Sequence, residues 1–220
     1  SGFFRAESGK FCTMRIIFIT GQSGSGKDTQ ANKIISFLEN SGKKVLSLNN
    51  GVCIRGWDSG SWLSELIKEN NKLGELAPEV VVAYHAIRLM EEYKEKPDFI
   101  IWNGSPRTTS ELRNLKGFIK ALQVGFNNPD FKAHVLVLEV SDQICIQRIK
   151  KRNEVENRPE TNTPEALRAK IWFYNKFTLG AISLIRTERD DYRNYFKIST
   201  VSGDNPEDIV FQGILNRLNL

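Results

Sequence analysis

Apolar residues along the chain follow two rhythms. Five short runs rich in branched side chains, each closed by a turn signal, read as buried strands. They are Met14–Thr20, Lys44–Asn49, Asp98–Asn103, His134–Val140 and Tyr195–Val201. Their near-continuous apolar character predicts parallel strands covered on both faces. Between them, apolar residues recur at helical spacing. Thr29–Asn40 sets Ala31, Ile34, Ile35 and Leu38 on one face, and Glu79–Lys94, opened by Pro78, does the same with Val82, Ala86, Leu89 and Tyr93. Ser110–Gln123, Asp142–Lys151 and Thr163–Thr187 are further helices, and Pro206–Leu218 is the last, with Asn205 as N-cap and Pro206 at the first helical position. Strands alternating with helices predict a doubly wound α/β fold on a parallel sheet. The polar stretch Arg152–Pro164 breaks the pattern and is expected to be a mobile loop.

Composition narrows the class. Hydrophobic residues at 40% and charged residues at 26% are ordinary for a globular chain and exclude a disordered chain, a collagen-like rod or a coiled coil. No apolar run approaches the roughly 18 residues that span a bilayer, so no membrane is expected. At 220 residues the chain predicts one domain, or a domain with a small insert, with a core that needs no staples. The 31 Lys and Arg against 26 Asp and Glu leave +5, which suits nucleic acid or small phosphorylated ligands alike. Cys12, Cys53 and Cys145 are odd in number and scattered, which makes neither a disulfide framework nor a zinc site and points to a reducing cytoplasm. Ser1–Gly2 reads as a remnant of cloning and Met14 as a natural start, so residues 1–13 form an N-terminal extension with little bearing on function.

The strongest chemical signal follows the first strand. Gly21-Gln-Ser-Gly-Ser-Gly-Lys27-Asp28-Thr29 is a glycine-rich turn that opens a helix. Such a turn aims consecutive backbone N–H groups inward, and the helix N-terminus adds positive partial charge, so both favour phosphate. Gly24 and Gly26 allow close backbone approach beside Ser25, and Lys27 is placed to reach the β- and γ-phosphates. The pattern G-x-x-x-x-G-K-[ST] is missed by one position, because Asp28 follows the lysine and the hydroxyl comes at Thr29.

With these residues the chain resembles the adenylate kinase and nucleoside monophosphate kinase family. GQSGSGKDTQ is similar to that family's G-x-P-G-x-G-K-G-T-Q, with Thr29 and Gln30 matching. Asn49-Asn50-Gly51-Val-Cys-Ile-Arg55 falls where the family has S-T-G-D-M-L-R, and Gly74-Glu-Leu-Ala77-Pro78-Glu looks like G-x-L-V-P-D. Gly104-Ser-Pro-Arg107-Thr108 looks like D-G-F-P-R-T, with Asn103 and Ser105 departing. Asp142-Gln-Ile-Cys-Ile-Gln-Arg148-Ile-Lys-Lys-Arg152 is similar to D-E-L-I-x-x-R-I-x-x-R, and Arg158-Pro-Glu160-Thr161 sits where the family has R-x-D-D, with Glu160-Thr161 departing from its two lid carboxylates.

The resemblance implies a phosphate-loop three-layer sandwich with a five-stranded parallel sheet over residues 14–220. It also implies a helical insert over 50–80 that binds the monophosphate, and a short lid over 152–164. Gathering the phosphates of two nucleotides calls for cationic screening, and arginine's planar fork suits it. By the same resemblance Arg55 and Arg107 clamp the acceptor, with Asn50, Gly51, Ala77, Gly104 and Glu111 around it. Arg152 and Arg158 close over the transferring group, Arg148 stacks on the ATP base, Gly203 meets that base through its backbone, and Lys170 stands in for a further arginine. Mg²⁺ accompanies ATP, and a monomer is expected. The lid motif has no cysteine, which leaves no zinc brace.

Several positions depart from the family pattern. Asn103 replaces an aspartate of the Mg²⁺ shell, and losing a charge-assisted bond costs roughly 1.5–3 kcal/mol. Asp28 either takes over part of that shell or simply favours the helix start. Glu111 stands where adenylate kinases present a glutamine to adenine; an ionised carboxylate only accepts hydrogen bonds, which suits guanine's paired donors best. AMP is favoured by the whole resemblance and GMP is its rival. Trp57, Trp62 and Trp102 are either core or a wall of the acceptor pocket. Two other classes stay open: a nucleotide-binding protein with little kinase activity, and a nucleic-acid binder. The second lacks any recognition motif or basic block with interleaved aromatics.

Overall fold

A computed structural model describes residues 14–57, 60–73, 75–156, 158, 161–187 and 191–220. Residues 1–13 with Cys12, Gly74 of the acceptor-loop motif and Glu160 of the lid motif lie outside them. Five strands, β1 (Arg15–Gly21), β2 (Val45–Asn49), β3 (Phe99–Asn103), β4 (Ala133–Glu139) and β5 (Phe196–Ser202), form one parallel sheet in the order β2-β3-β1-β4-β5. Each lies within one residue of the run that predicted it.

Helices α1 (Lys27–Asn40) and α9 (Glu207–Leu218) cover one face of the sheet, while α4 (Glu79–Glu92), α5 (Thr109–Gly125) and α8 (Leu179–Thr187) cover the other. The alternation of β1 shows how. Ile16 and Phe18 join Ala86, Leu112, Leu115, Ile119 and Ile182 on one side, and Ile17 and Ile19 join Ala31, Ile34, Leu38, Val210 and Ile214 on the other. All four β1 side chains are at most 1% exposed. Burying an Ile, Leu or Phe contributes about 1.5–3 kcal/mol, so the two faces hold the sheet firmly from both sides.

Between β2 and β3 the chain forms α2 (Asn50–Gly56), α3 (Trp62–Lys72) and α4. These carry a separate small core of Ile54, Ile67, Ala77, Val81 and Val82. After α6 (Asp142–Asn153), a connection leads to α7 (Pro164–Phe173), which runs through a π-helical turn (Tyr174–Thr178) into α8.

Some boundaries differ from the sequence expectation. The helix over 163–187 is interrupted by the π turn, where widened backbone spacing places Thr178 and Tyr174 on the cleft. α9 begins at Glu207, and Pro206 takes the cap position in place of Asn205, because its ψ of 147° is extended. The connection expected over Arg152–Pro164 is shorter, since Arg152 and Asn153 end α6 and Pro164 begins α7, with the Thr163 hydroxyl accepting from the Ala166 N–H. The tryptophans form no common wall. Trp102 sits in the sheet core against Phe18, Trp57 packs edge-on to His85, and Trp62 is 77% exposed.

Candidate active site

Strand register fixes where the cleft opens. β1 lies between β3 and β4, with Ile19 beside Asn103 and Gly21 beside Leu138. The chain leaves β1 toward β2 on one side and continues through β4 and β5 on the other, so a crevice forms at the carboxyl ends of the strands. A cleft of about 440 Å³ occupies it. Its lining includes Gly24, Gly26, Lys27, Asp28 and Thr29, the arginines 55, 107, 148, 152 and 158, and Lys170, together with Asn50, Gly51, Ala77, Asn103 and Gly104. Residues scattered over more than 140 positions of sequence are thereby brought together.

The phosphate loop is shaped by its glycines. Gly24 holds φ at +82°, and a Cβ there would stand 2.5 Å from the Cys145 carbonyl oxygen, so no larger residue fits the seat of the loop on α6. Gly26, also left-handed, precedes α1, whose N-terminus has no side-chain cap among the described residues. Its first-turn N–H groups are therefore left to an anion. Lys27 Nζ donates to the Gln22 carbonyl at 3.4 Å. Burial lowers its pKa below the ordinary value; Asp28 opposes that shift, and Arg152 and Arg158 add to it.

Asp28 and Asn103 meet across the cleft floor. Asn103 Nδ2 donates to Asp28 Oδ1 at 2.7 Å, and Arg158 Nη1 lies 3.4 Å from Oδ2. Burial alone would raise the Asp28 pKa, but Lys27, the Asn103 bond and Arg158 together hold it below the usual carboxylate range. The negative charge missing from the end of β3 is thus present one step away, on α1. Asn103 Oδ1 and Ser25 Oγ are buried and carry no hydrogen bond among the described residues. Asn103 Oδ1 and the Asp28 carboxylate are neighbouring hard oxygen donors on the cleft lining and suit a hydrated Mg²⁺, whereas Ser25 Oγ lies toward Gly21 and the Leu138 carbonyl, off that lining.

On the lid side, Arg148 Nη2 donates to the Gly203 carbonyl at 2.9 Å, so the two residues expected at the ATP base meet. Arg152 Nη2 donates to Thr161 Oγ1 at 3.1 Å, and Asn153 Nδ2 to the Thr161 carbonyl. Thr161, in place of a lid carboxylate, is buried and tied to α6 by hydrogen bonds in place of an ion pair. Arg158 also pairs with Glu156 at 2.6 Å. Lys170 Nζ donates to the Glu75 carbonyl at 2.9 Å and so links α7 to the loop before α4.

The acceptor side is a turn pinned on many sides. Gly104 N–H donates to the Ile19 carbonyl, Asn50 Nδ2 to the Gly104 carbonyl, Thr20 Oγ1 to the Pro106 carbonyl, and Thr178 Oγ1 to the Arg107 carbonyl. Asn50 Oδ1 accepts from Trp102 Nε1, so this side chain is used in holding the turn. On α2, a Cβ at Gly51 would lie 3.1 Å from Arg55 Nη1, so the glycine leaves room for the guanidinium.

Glu111 differs from the expectation of an open base-reading edge. It is 7% exposed; Oε1 accepts from Ser105 Oγ at 2.6 Å and Oε2 from the Arg107 N–H at 2.7 Å. It lines an adjoining recess of about 180 Å³ rather than the main cleft.

Sequence reasoning missed Thr20, Asn71, Phe173, Tyr174 and Thr178, all of which line the cleft. None stands in a motif, and the π turn that positions Thr178 has no local signature. Glu156, also on the lining, was visible only as a charged neighbour of Arg158.

Comparison with known proteins identifies the family. Residues 20–168 match a family model described as an AAA domain. The adenylate kinase of Caulobacter vibrioides is 32% identical over 164 residues, covering 74% of this chain and 78% of its own length. The chain belongs to the adenylate and nucleoside monophosphate kinase family. Within that family the likeness is broad rather than directed at one member. The adenylate kinase of Rhodopirellula baltica is 28% identical over 206 residues, 94% of this chain and 95% of its own. The UMP-CMP kinase of Gallus gallus is 28% identical over 204 residues, 91% and 94%. Among the described residues no helix is long and apolar enough to cross a membrane.

Proposed function

We propose that this kinase-family chain transfers the γ-phosphoryl group of ATP reversibly to a nucleoside monophosphate, giving ADP and a nucleoside diphosphate. The observation that carries the reading is one cleft lined by the phosphate loop and seven cations: Lys27, Arg55, Arg107, Arg148, Arg152, Arg158 and Lys170. Binding a single nucleotide would not call for cations on both walls.

In the reaction a phosphate oxygen of the acceptor attacks the γ-phosphorus, and the bond to the β–γ bridging oxygen breaks with its electron pair staying on ADP. The protein contributes position and charge. The loop N–H groups and Lys27 hold the ATP phosphates, and Arg107 and Arg55 hold the acceptor phosphate. Arg152, Arg158 and Lys170 screen the moving group, while Arg148 and Gly203 lie where the ATP base is expected. Bound phosphate favours the charged form of Lys27 and so opposes the burial that lowers its pKa. Asp28 and Asn103 would hold Mg²⁺ through its waters; when bound, the ion neutralises charge on the phosphates. Asp28 is the one carboxylate in the set, so it carries the charge that the family pattern places at position 103.

The relatives' names cover adenine and pyrimidine acceptors, and AMP is the acceptor we favour, with GMP as its rival. We place it as a monomer in a reducing cytoplasm, and the free thiols of Cys53 and Cys145 suit that compartment. A coupled assay for ADP formed from ATP with AMP, GMP, CMP, UMP and their deoxy forms tests it. Turnover with one or more supports the reading. Tight ATP binding with no turnover on any would replace it with a nucleotide-binding role.

A further inference from the structure

We propose that Glu111 is a positioning residue, which with Ser105 aims Arg107 at the acceptor phosphate, and that it does not read the acceptor base. The inference rests on the kinase reading above and deepens its acceptor side.

Two positions depart from the family pattern within the same turn, Ser105 and Glu111, and each satisfies the other. Ser105 is fully buried, and its hydroxyl donates to Glu111 Oε1 at 2.6 Å. Glu111 Oε2 takes the Arg107 N–H at 2.7 Å. The Thr108 hydroxyl caps α5 by accepting from the Glu111 N–H at 3.0 Å. A glutamate at this place in a helix ordinarily reaches back to the N–H of the capping residue. Here it reaches one residue further, to the arginine itself.

Arg107 is consequently fixed at both ends of its peptide. Glu111 takes its N–H, and its carbonyl accepts from Thr178 Oγ1 at 2.9 Å. Its Nε is buried, carries no hydrogen bond among the described residues and lies 4.0 Å from Glu111 Oε2. The carboxylate therefore orients the backbone and the inner edge of the guanidinium while the side chain still lines the main cleft. Both Glu111 carboxylate oxygens are thus already engaged, and its exposed edge faces a recess that shares Leu76, Ala77, Arg107 and Phe173 with the cleft. Selectivity for the base then falls to groups that do line the cleft, including Asn71 and Thr178.

The two roles predict different kinetics. An aimed arginine touches the phosphate that all monophosphates share, whereas a base reader touches what distinguishes them. The test measures kcat and KM for AMP, GMP, CMP and UMP, and KM for ATP, in the wild-type chain and in Glu111→Gln, Ser105→Ala and Glu111→Ala, with melting temperature alongside. Glu111→Gln keeps most of the bonding and loses the charge, so acceptor KM should rise about threefold. Ser105→Ala should give a similar rise, and Glu111→Ala, which strands both donors, a rise of about thirtyfold. Each factor should be the same for every accepted monophosphate, with ATP KM unchanged and the graded order Gln before Ala preserved.

A changed ranking of bases in any variant overturns the proposal and makes Glu111 a base reader. A lowered melting temperature with unchanged acceptor KM also overturns it, leaving a plain helix cap. Should Glu111→Ala fail to fold, Glu111→Gln and Ser105→Ala still decide. Lack of turnover in the wild-type chain on every monophosphate would instead defeat the kinase reading, and this proposal with it.

Discussion

The two walls of the cleft are built from different materials. The loop wall is main chain: Gly24 and Gly26 in left-handed conformations, the uncapped start of α1, and a loop seated on the Cys145 carbonyl. The acceptor wall is a web of side chains, Asn50 to Trp102, Ser105 to Glu111, Thr20 and Thr178 to the turn carbonyls. Main chain can be specified by a few glycines, so that wall keeps a recognisable motif. Side-chain webs can be rebuilt pair by pair, and there the residues depart from pattern while staying mutually satisfied. Asn103 and Asp28 join the two walls in the same way, with the charge moved but retained.

That contrast can be broken in several places. The largest effect is expected at Lys27→Met, which leaves the loop's shape but removes its charge: kcat/KM should fall by about 10³ at constant melting temperature, near the upper end for one lost electrostatic donor. A drop of less than tenfold would mean that the main chain alone holds the phosphates.

Gly24→Ala tests the main-chain wall directly. A Cβ 2.5 Å from a carbonyl oxygen, at φ +82°, should cost about 1–3 kcal/mol and weaken ATP binding more than acceptor binding. Thermal denaturation and ATP titration read the two parts, and an unperturbed ATP affinity would show that the loop can yield.

The exchange of charge is tested by Asp28→Asn and by the double variant Asp28→Asn with Asn103→Asp. The single change should weaken Mg²⁺-dependent nucleotide binding by about tenfold, and the double change should recover most of it. Titrating Mg²⁺ against the ATP-bound chain by calorimetry gives a readout independent of turnover. If the single variant binds as the native chain does, Asp28 merely favours the start of α1.

A last effect lies outside both walls and serves as a control. His134 bonds Ser199 Oγ at 2.9 Å, and burial, with Arg15 and Lys197 adding to it, lowers its pKa to about 4. Below the ordinary value of 6.5 the unfolded chain takes up the proton first, so stability should fall as pH drops from 6.5 toward 4. Allowing for its partial exposure, the loss should be about 1–2 kcal/mol, present in the wild-type chain and reduced in His134→Asn. Melting temperatures across that pH range check it.

Much of the architecture is legible in the sequence for a simple reason. Strands buried on both faces must be apolar at successive positions, as in Ile16–Ile19, and helices on one face must repeat Ala31, Ile34 and Leu38. The loop is legible because φ above zero and close backbone approach leave glycine as the residue that fits. The arginines are legible in motifs, yet their partners are not. Nothing local in Ser105-Pro-Arg107 announces that Glu111 will turn away from the main cleft to hold it. The π turn at Tyr174–Thr178 is equally silent, because no glycine or proline stands within it to mark the break.

By itself, the amino-acid order determined the alternating strands and helices, the phosphate loop and the set of cations, since these follow from periodicity, glycine geometry and charge. Only the tertiary structure decided which polar groups meet. Hydrogen bonds act over about 3 Å, and the fold brings Asp28 to Asn103 and Thr178 to Arg107 from 75 and 71 residues apart. At Asn103 a charge apparently lost from the chain is supplied by Asp28 across the cleft. At Glu111 an edge that seemed open to a base is taken by Ser105 and Arg107.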